Sequence, residues 1–236
     1  MRMNHPPSPE RRLAALHRHR SGLVHRRAWF RATVAATHGV KRALDIVGSA
    51  VALVLLTPLF LVVAVLIRLE DPGAPILFVQ ERVGRHGRVF PFPKFRSMVH
   101  GAAAGKDSLL AANHHGESIT FKMREDPRVT RVGRVIRKLS IDEFPQFWSV
   151  LVGHMSLVGP RPALPREVAR YRGEQRSRLG VKPGLTCFWQ VGGRGDLAFE
   201  EQVRLDLDYI HGQTLWLDLV LLLKTVPAVL TGRGAY

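Results

Sequence analysis

Asp142 and Glu143 form the most informative acidic pair in the chain. A divalent ion sits readily on such carboxylates. The same residues also have a local explanation. Ser140-Ile-Asp-Glu143 carries the Ser-x-x-Glu pattern of a helix capping box, with Asp142 as a first-turn acid favoured by the helix dipole. The cations in their company shift the balance towards chemistry. Lys94, Arg96, Arg137, Lys138, Arg161, Lys182 and Arg194 lie in motif-like segments rather than in charge runs. Arg161 is fixed between Pro160 and Pro162, an unusual place for a solubilising arginine. Arg194 falls in Gly192-Gly-Arg-Gly195, where small neighbours let the backbone approach a ligand. Arginine forks bind phosphate in bidentate fashion. The array therefore suits a phosphorylated substrate, while each cation taken singly reads as a solvated surface charge. The glycine-rich piece is no dinucleotide fingerprint, because no strand followed by Gly-x-Gly-x-x-Gly occurs there.

The elements that must position these groups follow from pattern. Ile76–Val83 and Val89–Phe95 are β-prone and joined by Gly84-Arg-His-Gly-Arg88, which predicts a hairpin. Residues 101–118 read as a polar loop or short helix, and Val129–Leu139 as a short helical or extended basic segment. The Ser140 capping box opens a helix to about Val152, tightened or kinked at its start by Pro145. Pro160-Arg-Pro162 is a rigid extended turn. Arg166–Leu179 reads as a charged helix, Phe199–Gly212 as a helix ending at its glycine, and Leu215–Leu230 as an amphipathic helix. The fold expected is α+β, mostly helical, with a small β-hairpin.

One apolar segment dominates the remainder. Ile46–Ile67 contains 22 residues without a charge, and as a helix it reaches roughly 33 Å, close to a hydrocarbon core. Thr57-Pro58 sits at its middle, where proline removes a backbone bond and kinks a helix. Its flanks are equally basic: Arg26, Arg27, Arg31, Lys41 and Arg42 before it, Arg68, Arg82, Arg85 and Arg88 after it. The positive-inside rule then favours both ends on the cytoplasmic side. A kinked span and a re-entrant hairpin both remain open on these residues alone.

The chain of 236 residues carries 35 Lys+Arg against 19 Asp+Glu, a formal net charge of +16. Half of that excess lies in residues 1–45. An arm over residues 1–40, flexible or lying on an anionic membrane surface, is expected. The single cysteine, Cys187, excludes an internal disulfide and any cysteine-based zinc site.

Several segments together resemble the bacterial sugar transferases, the monotopic polyprenyl-phosphate phosphoglycosyltransferases. They are Lys41-Arg-Ala-Leu-Asp45, Thr57-Pro58, Gln80-Glu-Arg-Val-Gly84, Lys94-Phe-Arg-Ser-Met98 and Arg137-Lys-Leu-Ser-Ile-Asp-Glu143. Met155-Ser-Leu-Val-Gly-Pro-Arg-Pro162, Lys182-Pro-Gly-Leu-Thr186 and Trp189-Gln-Val-Gly-Gly-Arg194 complete the set. The resemblance covers about residues 41–236 and departs at Cys187, where glycine is frequent in relatives. Larger relatives carry several transmembrane helices before this core, for which the segment before Lys41 is too short.

The resemblance implies a re-entrant membrane helix over residues 41–68, broken at Thr57 and Pro58. It also implies interfacial amphipathic helices and a membrane-associated catalytic domain over 69–236, on the cytoplasmic face of a bacterial inner membrane. The reaction implied moves a sugar-1-phosphate from a UDP-sugar to polyprenyl (undecaprenyl) phosphate with release of UMP, at the start of exopolysaccharide, capsule or O-antigen-type assembly. Asp142 matches the nucleophile that carries a phospho-sugar and helps hold Mg2+, and Glu143 is its partner in the dyad. Arg137 and Arg161 match phosphate-binding positions. Lys94, Arg96, Gln190 and Arg194 lie in segments lining the nucleotide-sugar or phosphate site, and Lys41 and Arg42 would meet anionic lipid head groups. A homo-oligomer is kept among the expected partners.

Two other classes fit less well. A nucleic-acid binder needs a basic recognition helix or an aromatic stacking platform, and the sequence offers neither, so no nucleic-acid partner is expected. A membrane adaptor gives no reason for Asp142, Glu143 and a proline-fixed Arg161 to coexist.

Overall fold

The computed structural model describes residues 9–102, 126–192 and 197–231, with side chains over 36–102, 126–192 and 197–229. The chain divides into two units, Met1–Ala43 and Leu44–Tyr236. The long helix α1, Pro9–Glu70, begins in the first unit, inside the segment read as an arm.

From Leu44 onward α1 carries the uncharged run. The helix is continuous through Pro58 rather than ending there. Thr57 donates its hydroxyl to the Leu53 carbonyl at 2.8 Å, a back-bond that often accompanies bending. Ala36–Glu70 is long and apolar enough to cross a membrane, and only 11% of its most apolar stretch is buried by the rest of the protein. Val54, Leu55, Leu61 and Leu69 are each more than 60% exposed. Its other face is covered: Val63 and Ile67 pack with Phe95 and Ile136, and Phe60 meets Phe95 edge to face at 5.3 Å.

The expected hairpin forms. Strand β1, Leu77–Val83, pairs antiparallel with β2, Val89–Phe95. His86 and Gly87 adopt positive φ in the connecting turn, which Gly84 closes by donating to the Arg88 carbonyl at 2.7 Å. Pairing places Phe92 opposite Gln80 and Lys94 opposite Phe78. Phe90 and Phe92 then bury against Val150 and Met155.

Helix α2, Arg131–Lys138, is capped twice. Thr130 Oγ1 accepts Gly133 N–H at 2.9 Å. Glu70, at the end of α1, accepts Arg131 and Val132 N–H at 2.7 and 3.0 Å. These bonds satisfy backbone donors that a helix start leaves open.

The next segment corrects the expectation of a capping box. Ser140 takes a left-handed conformation, φ 56°, and makes no side-chain capping bond. A 3-10 helix, Ile141–Gln146, follows and gives way to α3, Phe147–Leu151. Pro145 supplies no N–H, and Glu143 is engaged elsewhere, so a full α-helix from Ser140 does not form.

Strand β3, Ser156–Val158, pairs in parallel with β4, Gly184–Thr186, a contact the sequence did not suggest. The charged helix expected over Arg166–Leu179 is instead α4, Pro165–Ala169, followed by a 3-10 segment, Gly173–Gly180. Gly173 has φ +51° and interrupts the helix, and Arg178 turns inward. Helices α5, Phe188–Gly192, α6, Phe199–His211, and α7, Leu215–Thr231, close the domain. Helix α6 ends at Gly212 as expected. Helix α7 buries Leu221 against Val158 and Tyr209 while Trp216, Leu223 and Val226 stay exposed.

Candidate active site

The Ser140 turn and the 3-10 helix present Asp142 and Glu143 to the face of the hairpin that carries Lys94. Lys94 Nζ lies 2.6 Å from Glu143 Oε1, and Arg161 approaches the same oxygen at 3.5 Å. Burial alone would raise the Glu143 pKa, but Lys94 and Arg161 outweigh it and hold the group well below the usual carboxylate range. Glu143 is therefore a fixed anion between two cations. Lys94 is shifted down, burial exceeding the attraction of Glu143 and Asp142. Its ammonium also sits 5.3 Å from the centre of the Phe92 ring, a favourable cation–π placement.

Asp142 is 8% exposed. Burial pushes its carboxyl up to about 6, with Lys94 opposing and the Glu143 charge adding to the rise. Arg137, in the last turn of α2, and Arg161 lower it through space. Two adjacent carboxylates are thus driven apart: one permanently charged, the other poised near neutrality.

The backbone around Arg161 is held at four points. Gly159 N–H donates to Thr186 O at 3.0 Å, and Gly184 N–H to Pro160 O at 2.9 Å. Arg82 donates from a terminal guanidinium nitrogen to Pro162 O at 3.0 Å, and Val83 N–H to Ala163 O at 2.9 Å. The crossing of Gly159 and Gly184 is tight. A Cβ on Gly184 would lie 2.0 Å from the Gly159 nitrogen, so both positions need glycine. The Arg161 guanidinium stands 6.0 Å from the Trp189 ring centre. Burial lowers the pKa of Arg161, but Glu143 more than offsets this and the group stays cationic.

The remaining expected residues are distributed as follows. Arg96 donates to the Pro75 carbonyl at 2.7 Å and lies 5.9 Å from the Phe78 ring centre. Gln190, on α5 beside Trp189, accepts the Cys187 thiol at 3.1 Å. Arg194 lies outside the described residues. Thr57 and Pro58 are within α1, and Lys41 and Arg42 are partly exposed on the same helix.

Three features escaped the sequence reading. Arg82 is 8% exposed, packs 5.1 Å from the Phe92 ring centre, and has its pKa pushed down to about 10 by burial and then Arg161. Its place in Gln80-Glu-Arg-Val-Gly84, one of the matching segments, was the available signal. Arg178 pairs with Asp206 at 2.6 Å in the core. Asp45 binds β3.

The donors available to a metal are oxygens. Among the described residues no group of three or more His, Cys, Asp or Glu gathers. Asp142 and Glu143 supply a carboxylate pair, short of a closed cage. Mg2+ is held in that way, on one or two carboxylates with substrate phosphates and water completing the shell. A cation would also offset the burial that disfavours the ionised Asp142. The residues fit the ion.

A family description, bacterial sugar transferase, matches residues 36–232. The chain is 44% identical over 198 residues to the galactosyl transferase CpsE of Streptococcus agalactiae, covering 83% of this chain and 43% of that protein. It is 43% identical over 201 residues to the undecaprenyl-phosphate galactose phosphotransferase of Salmonella typhimurium, covering 84% and 42%. With the exopolysaccharide production protein ExoY of Rhizobium meliloti it shares 38% over 199 residues, covering 83% and 88%. It thus spans less than half the length of the first two relatives and most of the third. The matched region contains the carboxylate pair, the cations around it and the apolar helix, and on that match this chain belongs to the bacterial sugar transferase family.

Proposed function

We propose that the protein transfers a sugar-1-phosphate from a UDP-sugar to polyprenyl phosphate through a covalent intermediate on Asp142. The observation that carries this reading is the buried Asp142 beside a Glu143 already neutralised by Lys94 and Arg161. Both substrates are anionic, so direct attack of one phosphate on the other meets charge repulsion. A carboxylate nucleophile divides the transfer into two displacements.

In the first, an Asp142 carboxylate oxygen forms a bond to the sugar-bearing phosphorus. The bond from that phosphorus to the bridging oxygen breaks, and UMP leaves with the electron pair. In the second, a phosphate oxygen of polyprenyl phosphate attacks the same phosphorus. The Asp142–phosphorus bond breaks, which returns the carboxylate and yields a polyprenyl-diphosphate sugar. Arg161 and Arg137 offset charge on the transferring phosphoryl group, with Lys94 keeping Glu143 in place. Asp142 and Glu143 Oε2, the oxygen that Lys94 and Arg161 do not approach, would hold Mg2+, which would supply further charge neutralisation when bound.

The apolar helix and the exposed face of α7 support a location at the membrane. Balanced basic flanks favour both ends of the apolar run at the cytoplasmic face of a bacterial inner membrane, a re-entrant path that α1, continuous through Pro58, would take only by bending there. The name of the ExoY relatives, exopolysaccharide production protein, points to exopolysaccharide assembly as the setting.

The test is a panel of UDP-sugars given to detergent-solubilised protein with Mg2+. Multiple turnovers of UMP should require polyprenyl phosphate. Without acceptor, UMP release should stop near one equivalent, and mass spectrometry should find sugar phosphate on Asp142. Normal product formation with no adduct on that residue would remove the covalent step. Chelation should stop turnover and Mg2+ restore it, and full activity after thorough chelation would remove the metal.

A further inference from the structure

We propose that Asp45 is a positioning residue, holding the strand that delivers Arg161 in register with the apolar helix. The proposal rests on the transferase reading for its effect on rate, but not for its effect on structure. Asp45 is 4% exposed and directly precedes the uncharged run. A buried carboxylate is costly unless its oxygens are hydrogen-bonded. Oδ1 of Asp45 accepts the Ser156 hydroxyl at 3.0 Å and Leu157 N–H at 2.8 Å.

The neighbouring turn of α1 completes a seat for β3. Ser49, fully buried, donates its hydroxyl to the Asp45 carbonyl. Gly48 leaves room for Leu157, since a Cβ there would lie 3.0 Å from Leu157 Cδ1. The strand's other side is fixed as well: Ser156 N–H donates to Pro183 O at 2.8 Å, and the Tyr209 hydroxyl to Val158 O at 3.1 Å.

A strand of three residues is too short to hold itself. From Leu157 the chain reaches Arg161 in four residues, two of them the glycine crossing and a proline. Two of the bonds that hold the Arg161 backbone, at Gly159 and Pro160, begin one residue beyond β3, so a movement of β3 strains them and passes in part to the Arg161 guanidinium. Displacement by about 1 Å at a group that orients substrate can cost roughly 10²-fold in rate. Asp45 acts through Arg161 and not on substrate.

The test compares full-length Asp45→Ala and Asp45→Asn, with Ser156→Ala as a milder lesion should the alanine variant fail to fold. Asp45→Ala should lower kcat roughly 10²-fold. Asp45→Asn should recover most of it, because the amide oxygen accepts the same two bonds without the charge. Placed on an Arg161→Ala background, Asp45→Ala should add roughly threefold or less, since the pair acts as one unit. Equal damage by Asn and Ala, or the same loss with and without Arg161, would overturn the proposal. Hydrogen–deuterium exchange over residues 156–161 gives a readout independent of turnover. It should quicken in Asp45→Ala and in Ser156→Ala and stay near wild type in Asp45→Asn. Unchanged exchange in the alanine variants overturns the proposal whatever the protein transfers. A wild type silent on every UDP-sugar defeats the transferase reading and leaves the exchange result to decide this one.

Discussion

Lys94 Nζ lies 2.6 Å from Glu143 Oε1, with neither side chain more than a fifth exposed. In the proposed transfer this contact divides the two acids: Glu143 is paired with Lys94 and Arg161, and Asp142 is the carboxylate left to react. Pairs of titratable groups pushed apart by their surroundings often mark such a division of labour.

Asp142→Asn should therefore lose at least about 10³-fold in turnover while staying folded. Because burial penalises the ionised carboxylate, the amide should cost no stability, and the melting temperature should hold or rise. Measured turnover near wild type would take Asp142 out of the reaction, and a large fall in melting temperature would make it a structural residue.

The acid limb of the rate profile should report Asp142. Burial raises its pKa to about 6 before any metal binds, and bound Mg2+ would draw it down, so the reactive carboxylate is lost as pH falls through a limb at or below 6. The rate of UMP release without acceptor should level off on the alkaline side and fall about tenfold per pH unit below that limb. Lys94 lowers the Asp142 pKa, so Lys94→Met should move the limb to higher pH. A limb that stays put or moves down would contradict the assignment.

The Arg178–Asp206 pair bears on stability. Both residues are buried, and the contact is 2.6 Å. Arg178 also bonds the Tyr171 hydroxyl at 2.9 Å and lies near the Tyr171 and Phe199 rings. Asp206→Ala leaves that guanidinium buried without its counter-charge and should cost about 3–5 kcal/mol. Denaturant unfolding in a fixed detergent measures it. Replacing both partners by apolar residues should recover much of the loss.

The proposed topology rests on the balanced basic flanks of the apolar helix. Tags at the two termini should both resist protease added outside intact cells, as a re-entrant helix requires. Digestion of only one tag would identify a crossing helix.

Local pattern was enough for the hairpin, for α6 with its terminal glycine and for the apolar helix, because each is fixed by neighbours in sequence. Asp142, Glu143, Lys94 and Arg161 were also readable as a set, and the structure brings them together. Long-range pairing decided the rest. The capping box at Ser140 gave way because Glu143 gains more from Lys94, 49 residues earlier, than from a local N–H. Arg166–Leu179 broke because Gly173 turns left-handed and Arg178 finds Asp206. Asp45 and Ser156 lie 111 residues apart, and no spacing rule connects them.

The outward surface of α1 also decides how the protein can be handled. Between Leu44 and Leu69 eleven large aliphatic side chains face away from the rest of the molecule, and no single charge swap would offset so broad a strip. A water-soluble redesign has to recolour most of that strip with polar residues while sparing Asp45, Phe60, Val63 and Ile67, whose inward contacts tie the helix to the hairpin, α2 and β3.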